Sequence, residues 1–258
     1  MGILRILWKA PALIVLTGAT YAYLLSTSFV MSLARGGRWD GSATSHWRLA
    51  IFHRWATLAS RIIGISATVQ GQPPQSPFFL VANHLSYVDI LVLAAELRCV
   101  FVARGDVSTW PVVGTLCRGA DTIFIDRANK RDIPRVQAEI EGILEDRLGV
   151  VVFPEGTSTK GAEVGPFRPS LLEAAAIAGI PVSYAALSYR TPRGCAPAHL
   201  AVCWWGTMTF GGHMLELLAL PRVEASVSFG DEPIQERDRK LLARRLQCAV
   251  EQRFQPVV

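Results

Sequence analysis

The chain has 258 residues, of which 50% are hydrophobic and only 18% are charged. This composition excludes an intrinsically disordered protein and leaves ample material for a large buried core. The net charge is +5, and the excess lies in residues 1–75, which carry seven basic residues and one acidic residue. A nearly neutral remainder argues against a nucleic-acid-binding protein. A basic N-terminal part instead suits anionic lipid headgroups.

The N-terminal segment is predicted to anchor the chain in a membrane. Residues 10–34 carry no charge, and as a helix they would be about 37 Å long, enough to cross a bilayer core. The stretch is too long for a signal peptide and has a poor cleavage site. We therefore predict an anchor over residues 1–35, which either spans the bilayer or lies in one leaflet. Residues 36–45 are predicted to form a linker.

The rest of the chain, residues 36–258, is predicted to form one globular domain. Short apolar runs predict strands at 78–82, 99–103, 122–125, 150–153, 182–189, 199–205 and 223–229. Helical periodicity predicts helices at 46–65, 89–97, 110–118, 132–148, 169–178, 214–220 and 236–254. This alternation predicts an α/β fold, with a single mixed sheet flanked by helices and an N-terminal membrane-anchoring helix. Five cysteines without a C-x-x-C pair predict neither a disulfide framework nor a metal site.

A polar cluster, residues 83–89, follows the first predicted strand. His84 leaves the strand and Asp89 follows five residues later, which suits a loop imidazole with a carboxylate folded back onto it. Such a pair can act as a general base and its orienting group. The alternative is a structural histidine, with Asp89 as the N-cap of the next helix.

Two further clusters follow later strands. Arg127, after Asp126, can bind a phosphate with its planar guanidinium, or it can simply pair with Asp126 on the surface. After the strand at 150–153, Gly156 permits a tight turn, and the N–H groups of residues 156–158 can face an anion or an oxyanion. The alternative is an ordinary strand-to-helix turn. A nucleotide-binding P-loop is excluded, because Ala162 stands where that motif needs lysine.

Taken together, the blocks N-H-x-x-x-x-D at 83–89, I-F-I-D-R at 123–127, F-P-E-G-T at 153–157 and G-I-P-V at 179–182 resemble the four ordered blocks of the glycerolipid acyltransferases. The resemblance covers about residues 48–230. It implies acyl transfer from a thioester donor, acyl-CoA or acyl carrier protein, to the free hydroxyl of 1-acylglycerol 3-phosphate, giving phosphatidate without any cofactor or metal. It also implies an enzyme at the inner membrane, and the positive-inside rule puts its catalytic domain on the cytoplasmic side.

The same resemblance assigns roles to individual residues. His84 would be the general base and Asp89 would orient it. Arg127, Glu155, Gly156 and Thr157 would form the acceptor site, with Arg127 facing the phosphate; Arg168 would supply a further charge and Pro181 would shape the pocket.

Two departures from the family pattern leave the acceptor open. Ser158 stands where the family often has arginine, and Arg104 where it often has lysine. Family members that acylate lyso-ornithine lipid are therefore an alternative. Outside this activity, a hydrolase could use Ser86 or Ser158 with His84, although no G-x-S-x-G motif is present. A non-catalytic lipid-binding protein is the third possibility.

Overall fold

The computed structural model describes residues 2–34, 41–110, 113–126 and 132–258. Nine α-helices lie within these ranges: α1 Gly2–Ala34, α2 Gly41–Ile63, α3 Val88–Glu96, α4 Val113–Gly119, α5 Ile133–Glu145, α6 Glu173–Ala178, α7 Ala198–Ala201, α8 Phe210–Ala219 and α9 Arg239–Glu251. The seven strands are β1 Ile65–Gln70, β2 Phe78–Ala82, β3 Cys99–Arg104, β4 Ile123–Ile125, β5 Gly149–Val152, β6 Val182–Arg190 and β7 Val223–Phe229. Two 3-10 turns cover Gly105–Thr109 and Pro169–Leu171.

The strands form one mixed sheet in the order β1-β7-β6-β2-β5-β3-β4. Strands β6, β2, β5, β3 and β4 are parallel neighbours. Strand β7 is antiparallel to β6 and parallel to β1. The predicted single mixed sheet is therefore confirmed.

Helices cover both faces of the sheet, which explains why the central strands are apolar throughout. All five residues of β2 are buried, because alternate side chains enter two different cores. One core contains Phe78 and Leu80 with α2, α3, α7 and α8, while the other contains Phe79 and Val81 with α5, α6 and α9.

Helix α1 is long and apolar enough to cross a membrane by length and composition, with a mean hydropathy of 1.5 over its most apolar window. It nevertheless packs along α2 and α8. Lys9 is 2% exposed, and its ammonium group donates to the carbonyls of Ile63 (2.6 Å) and Leu220 (2.7 Å), where α2 and α8 end. Arg5 donates to Ala219 O at 3.1 Å. These two cations thus bind helix C-termini, rather than facing lipid headgroups.

Three elements differ from the predictions. Residues 199–205 do not form a strand: α7 begins at Ala198 after Pro197, and the Trp204 N–H donates to Leu85 O in a loop contact. Strand β1 is not among the predicted strands. Most of its residues are exposed, so its sequence contains no continuous apolar run. The predicted linker is partly helical, because α2 begins at Gly41; residues 36–40 lie outside the described part of the chain.

Candidate active site

The three polar clusters all follow the carboxyl ends of strands at one edge of the sheet. The carboxyl ends of β2, β5, β3 and β4 lie at this edge because the four strands are parallel and in register. His84 follows β2, Glu155 follows β5 and Asp126 follows β4. Ligands of open α/β sheets bind at such an edge.

At this edge, His84 and Asp89 form a hydrogen-bonded pair. Nδ1 of His84 lies 2.7 Å from Oδ2 of Asp89, and the Asp89 side chain has no exposed surface. A carboxylate only accepts hydrogen bonds, so Nδ1 carries the proton of this bond, and in the neutral imidazole Nε2 then has the lone pair. The imidazole ring is 20% exposed and stacks on Phe153 at 4.2 Å. This geometry leaves Nε2 able to accept a proton from a bound hydroxyl.

Asp89 is not a helix cap, so the predicted alternative of an N-cap at this position is wrong. Helix α3 begins at Val88, with Tyr87 at the N-cap position and no side-chain capping bond. Instead, Oδ2 of Asp89 also accepts the N–H groups of Leu85 (2.7 Å) and Ser86 (3.0 Å). Its Oδ1 accepts the hydroxyl of Tyr189 at 2.6 Å. These hydrogen bonds stabilise a fully buried carboxylate.

Glu155 lies beneath His84 and contacts its main chain. Oε1 accepts the His84 N–H at 2.6 Å and Oε2 accepts the Gly165 N–H at 2.9 Å, while the residue is only 3% exposed. Burial raises the pKa of Glu155 to about 7, although both backbone hydrogen bonds oppose this shift. Such contacts suit a residue that positions His84, whereas the family resemblance implies a place in the acceptor site.

The turn after Glu155 wraps around the histidine loop. Gly156 has φ of +74°, a conformation that favours glycine, and its N–H donates to Phe153 O at 3.1 Å. The Thr159 N–H donates to His84 O at 3.0 Å. Thr157 is exposed at the tip of the turn. The Gly156 N–H is therefore used within the turn, and the N–H groups of residues 157 and 158 are the remaining candidates for binding an oxyanion.

The remaining predicted site residues have different positions. Arg127 lies outside the described residues, although the preceding main chain is fixed, because Asp132 Oδ2 accepts the Asp126 N–H at 2.8 Å. Arg168 is exposed beside the site and its Nε donates to Glu155 O at 3.1 Å. Pro181 is not brought to His84. It precedes Val182, which pairs with Phe79. Phe79 lies five residues before His84, so this pair is about 16 Å from His84 along the strand direction.

Neither serine considered for a hydrolase is paired with His84. Ser86 is completely buried, and its Oγ has no hydrogen-bond partner among the described residues. The Oγ of Ser158 donates to the carbonyl of Trp204. Both hydroxyls therefore lack the contact with His84 that would activate a nucleophile.

An aromatic cluster forms a wall beside the histidine loop. Tyr87 packs against Trp204 (5.9 Å between ring centroids) and Phe210 (5.0 Å), and Trp204 contacts Trp110 at 6.1 Å. Phe210 is 38% exposed, so the wall has an apolar outer surface. No sequence pattern marks this wall, because its members come from separate segments of the chain.

Comparisons with known proteins identify the family to which the chain is similar. A family model described as Acyltransferase matches residues 66–187. A lyso-ornithine lipid O-acyltransferase of Rhodobacter capsulatus is 33% identical over 211 residues, covering 79% of this chain and 75% of the relative. A 1-acyl-sn-glycerol-3-phosphate acyltransferase of Neisseria gonorrhoeae is 32% identical over 175 residues, covering 64% and 68%. The crystal structure of the 1-acyl-sn-glycerophosphate acyltransferase of Thermotoga maritima shares the fold, with a TM-score of 0.58, 19% identity and coverage of 95% and 97%.

Proposed function

The chain belongs to the acyltransferase family, and we propose that it transfers a fatty acyl group from a thioester donor to the free hydroxyl of a single-chain membrane lipid. The observation that carries this proposal is the orientation of His84. Its Nδ1 is held 2.7 Å from the buried carboxylate of Asp89, so Nε2 is the nitrogen available to a hydroxyl at the edge of the sheet.

The reaction follows from this orientation. Nε2 of His84 takes the proton of the acceptor hydroxyl as its oxygen attacks the thioester carbonyl, and Asp89 stabilises the imidazolium that forms. The tetrahedral oxyanion accepts hydrogen bonds from the N–H groups of residues 157–158. The intermediate collapses as the carbon–sulfur bond breaks. The thiolate then takes the proton from Nε2, which restores the neutral imidazole.

We propose lyso-ornithine lipid as the acceptor. The relative named for that acceptor aligns over more of this chain than the one named for 1-acyl-sn-glycerol 3-phosphate, 79% against 64%. In addition, Ser158 occupies a position where the family often has arginine, and its hydroxyl bonds the main chain of Trp204. This arrangement leaves one cation fewer for a phosphate.

A second acceptor, 1-acylglycerol 3-phosphate, is favoured by two basic residues. The I-F-I-D-R block ends with Arg127, next in sequence to Asp126, which follows β4 at the edge of the sheet where His84 lies. Arg168 adds a second, exposed cation beside Glu155. Arginine is the residue best suited to binding a phosphate monoester.

We further propose that α1 lies along one leaflet on the cytoplasmic side. The contacts of Arg5 and Lys9 fix its first turns to α2 and α8, and Trp55 donates to Thr17 at 3.1 Å further along. These contacts favour a helix that lies along one leaflet beside the domain over one that crosses the bilayer alone. Its outer side still presents large apolar residues to lipid: Ile3, Leu4, Leu7, Ile14, Val15, Leu25, Phe29 and Val30.

The test is a transfer assay with the full-length protein in detergent micelles. Two thioester donors with a radiolabelled acyl group, acyl-CoA and acylated acyl carrier protein, are each supplied with lyso-ornithine lipid or 1-acylglycerol 3-phosphate, and products are separated by chromatography. We expect the diacylated ornithine lipid as the main product. Phosphatidate as the main product would identify the second acceptor, and free fatty acid alone would contradict the transferase mechanism.

Two variants accompany this assay. His84→Ala should lower turnover by about a hundredfold to ten-thousandfold, the usual contribution of a general base, with an unchanged circular dichroism spectrum. His199→Ala, in the short helix α7, is the matched control and should keep its turnover. A His84→Ala variant with near-normal turnover would refute the role of His84.

A further inference from the structure

The carboxylate of Asp89 is held from two sides of the fold. Its Oδ2 receives the His84 ring and two N–H groups, all from the same loop. Its Oδ1 receives the hydroxyl of Tyr189 at 2.6 Å. Within the described part of the chain, Tyr189 thus supplies the only hydrogen bond that ties this carboxylate to the sheet rather than to its own loop.

Tyr189 is itself rigidly placed. It is 1% exposed, lies in β6 and pairs with Ala225 of β7. On its other side, the Asn83 side chain extends the pairing of β2 with β6, since its Oδ1 accepts the Leu187 N–H at 2.7 Å and its Nδ2 donates to Leu187 O at 3.0 Å. The loop that carries His84 and the strand that carries Tyr189 are therefore fixed to each other next to the site.

The hydroxyl of Tyr189 can donate its hydrogen bond to Asp89 at any working pH. Burial and the charge of Asp89 raise its pKa well above the usual 10, so it stays protonated throughout the working pH range. A buried carboxylate oxygen without a donor is costly. A donor fixed in the sheet also sets the plane of the carboxylate, and so sets the direction in which Oδ2 faces Nδ1 of His84.

We propose that Tyr189 is a positioning residue for acyl transfer, which acts through Asp89 to orient the imidazole of His84. This role rests on the proposed function, because it requires His84 to be the general base. It assigns a part in the reaction to β6. Only the first residue of this strand, Val182, belongs to one of the four family blocks. Without the hydroxyl, more negative charge stays on Oδ2. This charge stabilises the imidazolium of His84, so Nε2 releases its proton less readily.

The test compares Tyr189→Phe with Tyr184→Phe in the full-length protein. Tyr184 is the matched control, because it lies in the same strand and its ring packs over Gly230 and beside Arg253, away from Asp89. We expect Tyr189→Phe to lower kcat by about tenfold to a hundredfold, as for the loss of one hydrogen bond to a charged group. KM for both substrates should stay within about twofold. Tyr184→Phe should keep the wild-type kcat.

Two further readouts separate positioning from a general loss of structure. The acidic limb of the kcat/KM profile should move to higher pH in Tyr189→Phe, because the imidazolium keeps its proton longer. In an Asp89→Asn background, Tyr189→Phe should cause little further loss, because both residues act through one contact. Should Tyr189→Phe fail to fold, 3-fluorotyrosine at position 189 keeps the ring and strengthens the donor, and the acidic limb should then move to lower pH.

The outcomes are distinct. A Tyr189→Phe enzyme with wild-type kcat and pH profile would overturn this role while His84→Ala remained inactive, and the proposed function would stand. A lower kcat with an unmoved acidic limb, and with the same loss in the Asp89→Asn background, would make Tyr189 merely structural and would also overturn it. An active His84→Ala variant would instead refute the proposed function itself.

Discussion

The carboxylate of Glu155 holds the main chain of His84 through a 2.6 Å hydrogen bond, although 71 residues separate them in the sequence. Asp89 holds the ring of the same histidine. His84 is therefore fixed at both its backbone and its side chain by two buried carboxylates. Changes to these carboxylates, and to the elements that support them, should have separate and measurable effects.

Glu155→Gln should change how stability depends on pH. The folded-state pKa of Glu155, about 7, lies above its ordinary value of 4.5. The folded state therefore binds this proton more tightly than the unfolded state does, and stability falls as pH rises from 4.5 to 7. Over this range Glu155 lowers the free energy of unfolding by about 3 kcal/mol. Urea unfolding at four pH values should show that wild type loses stability relative to Glu155→Gln as pH rises; parallel curves would contradict the buried-carboxylate assignment.

Gly165→Ala should displace Glu155 and disturb His84. A Cβ at position 165 would overlap Oε2 of Glu155. We expect a stability loss of about 1–3 kcal/mol and at least a tenfold lower kcat/KM. Gly142→Ala in α5 is the control, because no atom lies within 4 Å of its added Cβ; it should be neutral or slightly stabilising. Equal activities in the two variants would show that the position of Glu155 does not affect catalysis.

Ser86→Ala and Ser158→Ala should both retain acyl transfer within about fivefold. The Ser86 hydroxyl is buried without a partner among the described residues, so its removal should not lower stability. The Ser158 hydroxyl donates to the main chain of Trp204 rather than to His84. The assay should follow both product lipid and free fatty acid. Loss of all turnover in either variant would revive a serine hydrolase mechanism.

Lys9→Met should weaken the docking of α1. The ammonium donates to Ile63 O and Leu220 O in a buried site, and methionine leaves both carbonyls without this donor. We expect a loss of about 2–4 kcal/mol, visible as a lower Tm in detergent. Lys160→Met, at an exposed position, is the control. Equal Tm values for the two variants would indicate that Lys9 does not hold α1 to the domain.

Arg127→Ala should affect the acceptor more than the donor. If Arg127 binds the acceptor headgroup, its loss should raise the acceptor KM by about tenfold and change the donor KM by less than twofold. Arg239→Ala at the start of α9 is the control, because its guanidinium is bound by Glu173 away from the site. Equal effects on both KM values would contradict a role for Arg127 in binding the acceptor.

The local features of this protein are determined by its sequence. The apolar pattern predicts the exact bounds of β2 and β7. Strand β2 is buried on both faces and is apolar throughout, whereas burial alternates along the first part of β7. The order of the four blocks by itself indicates the family, since each block keeps its own residues together along the chain. Short ambiguous runs are the exception: the prediction of a strand at 199–205 is wrong, because a few apolar residues favour helix and strand equally.

Only the tertiary structure decides which residues surround His84. Parallel pairing of β2 with β5 and β6 brings Glu155 to His84 across 71 residues and Tyr189 to Asp89 across 100 residues. Neither contact leaves a periodic signal in the sequence. The same pairing places Pro181 at the far end of β6, although it lies in one of the family blocks. Sequence patterns record burial along one element, whereas a site is built by contacts between elements.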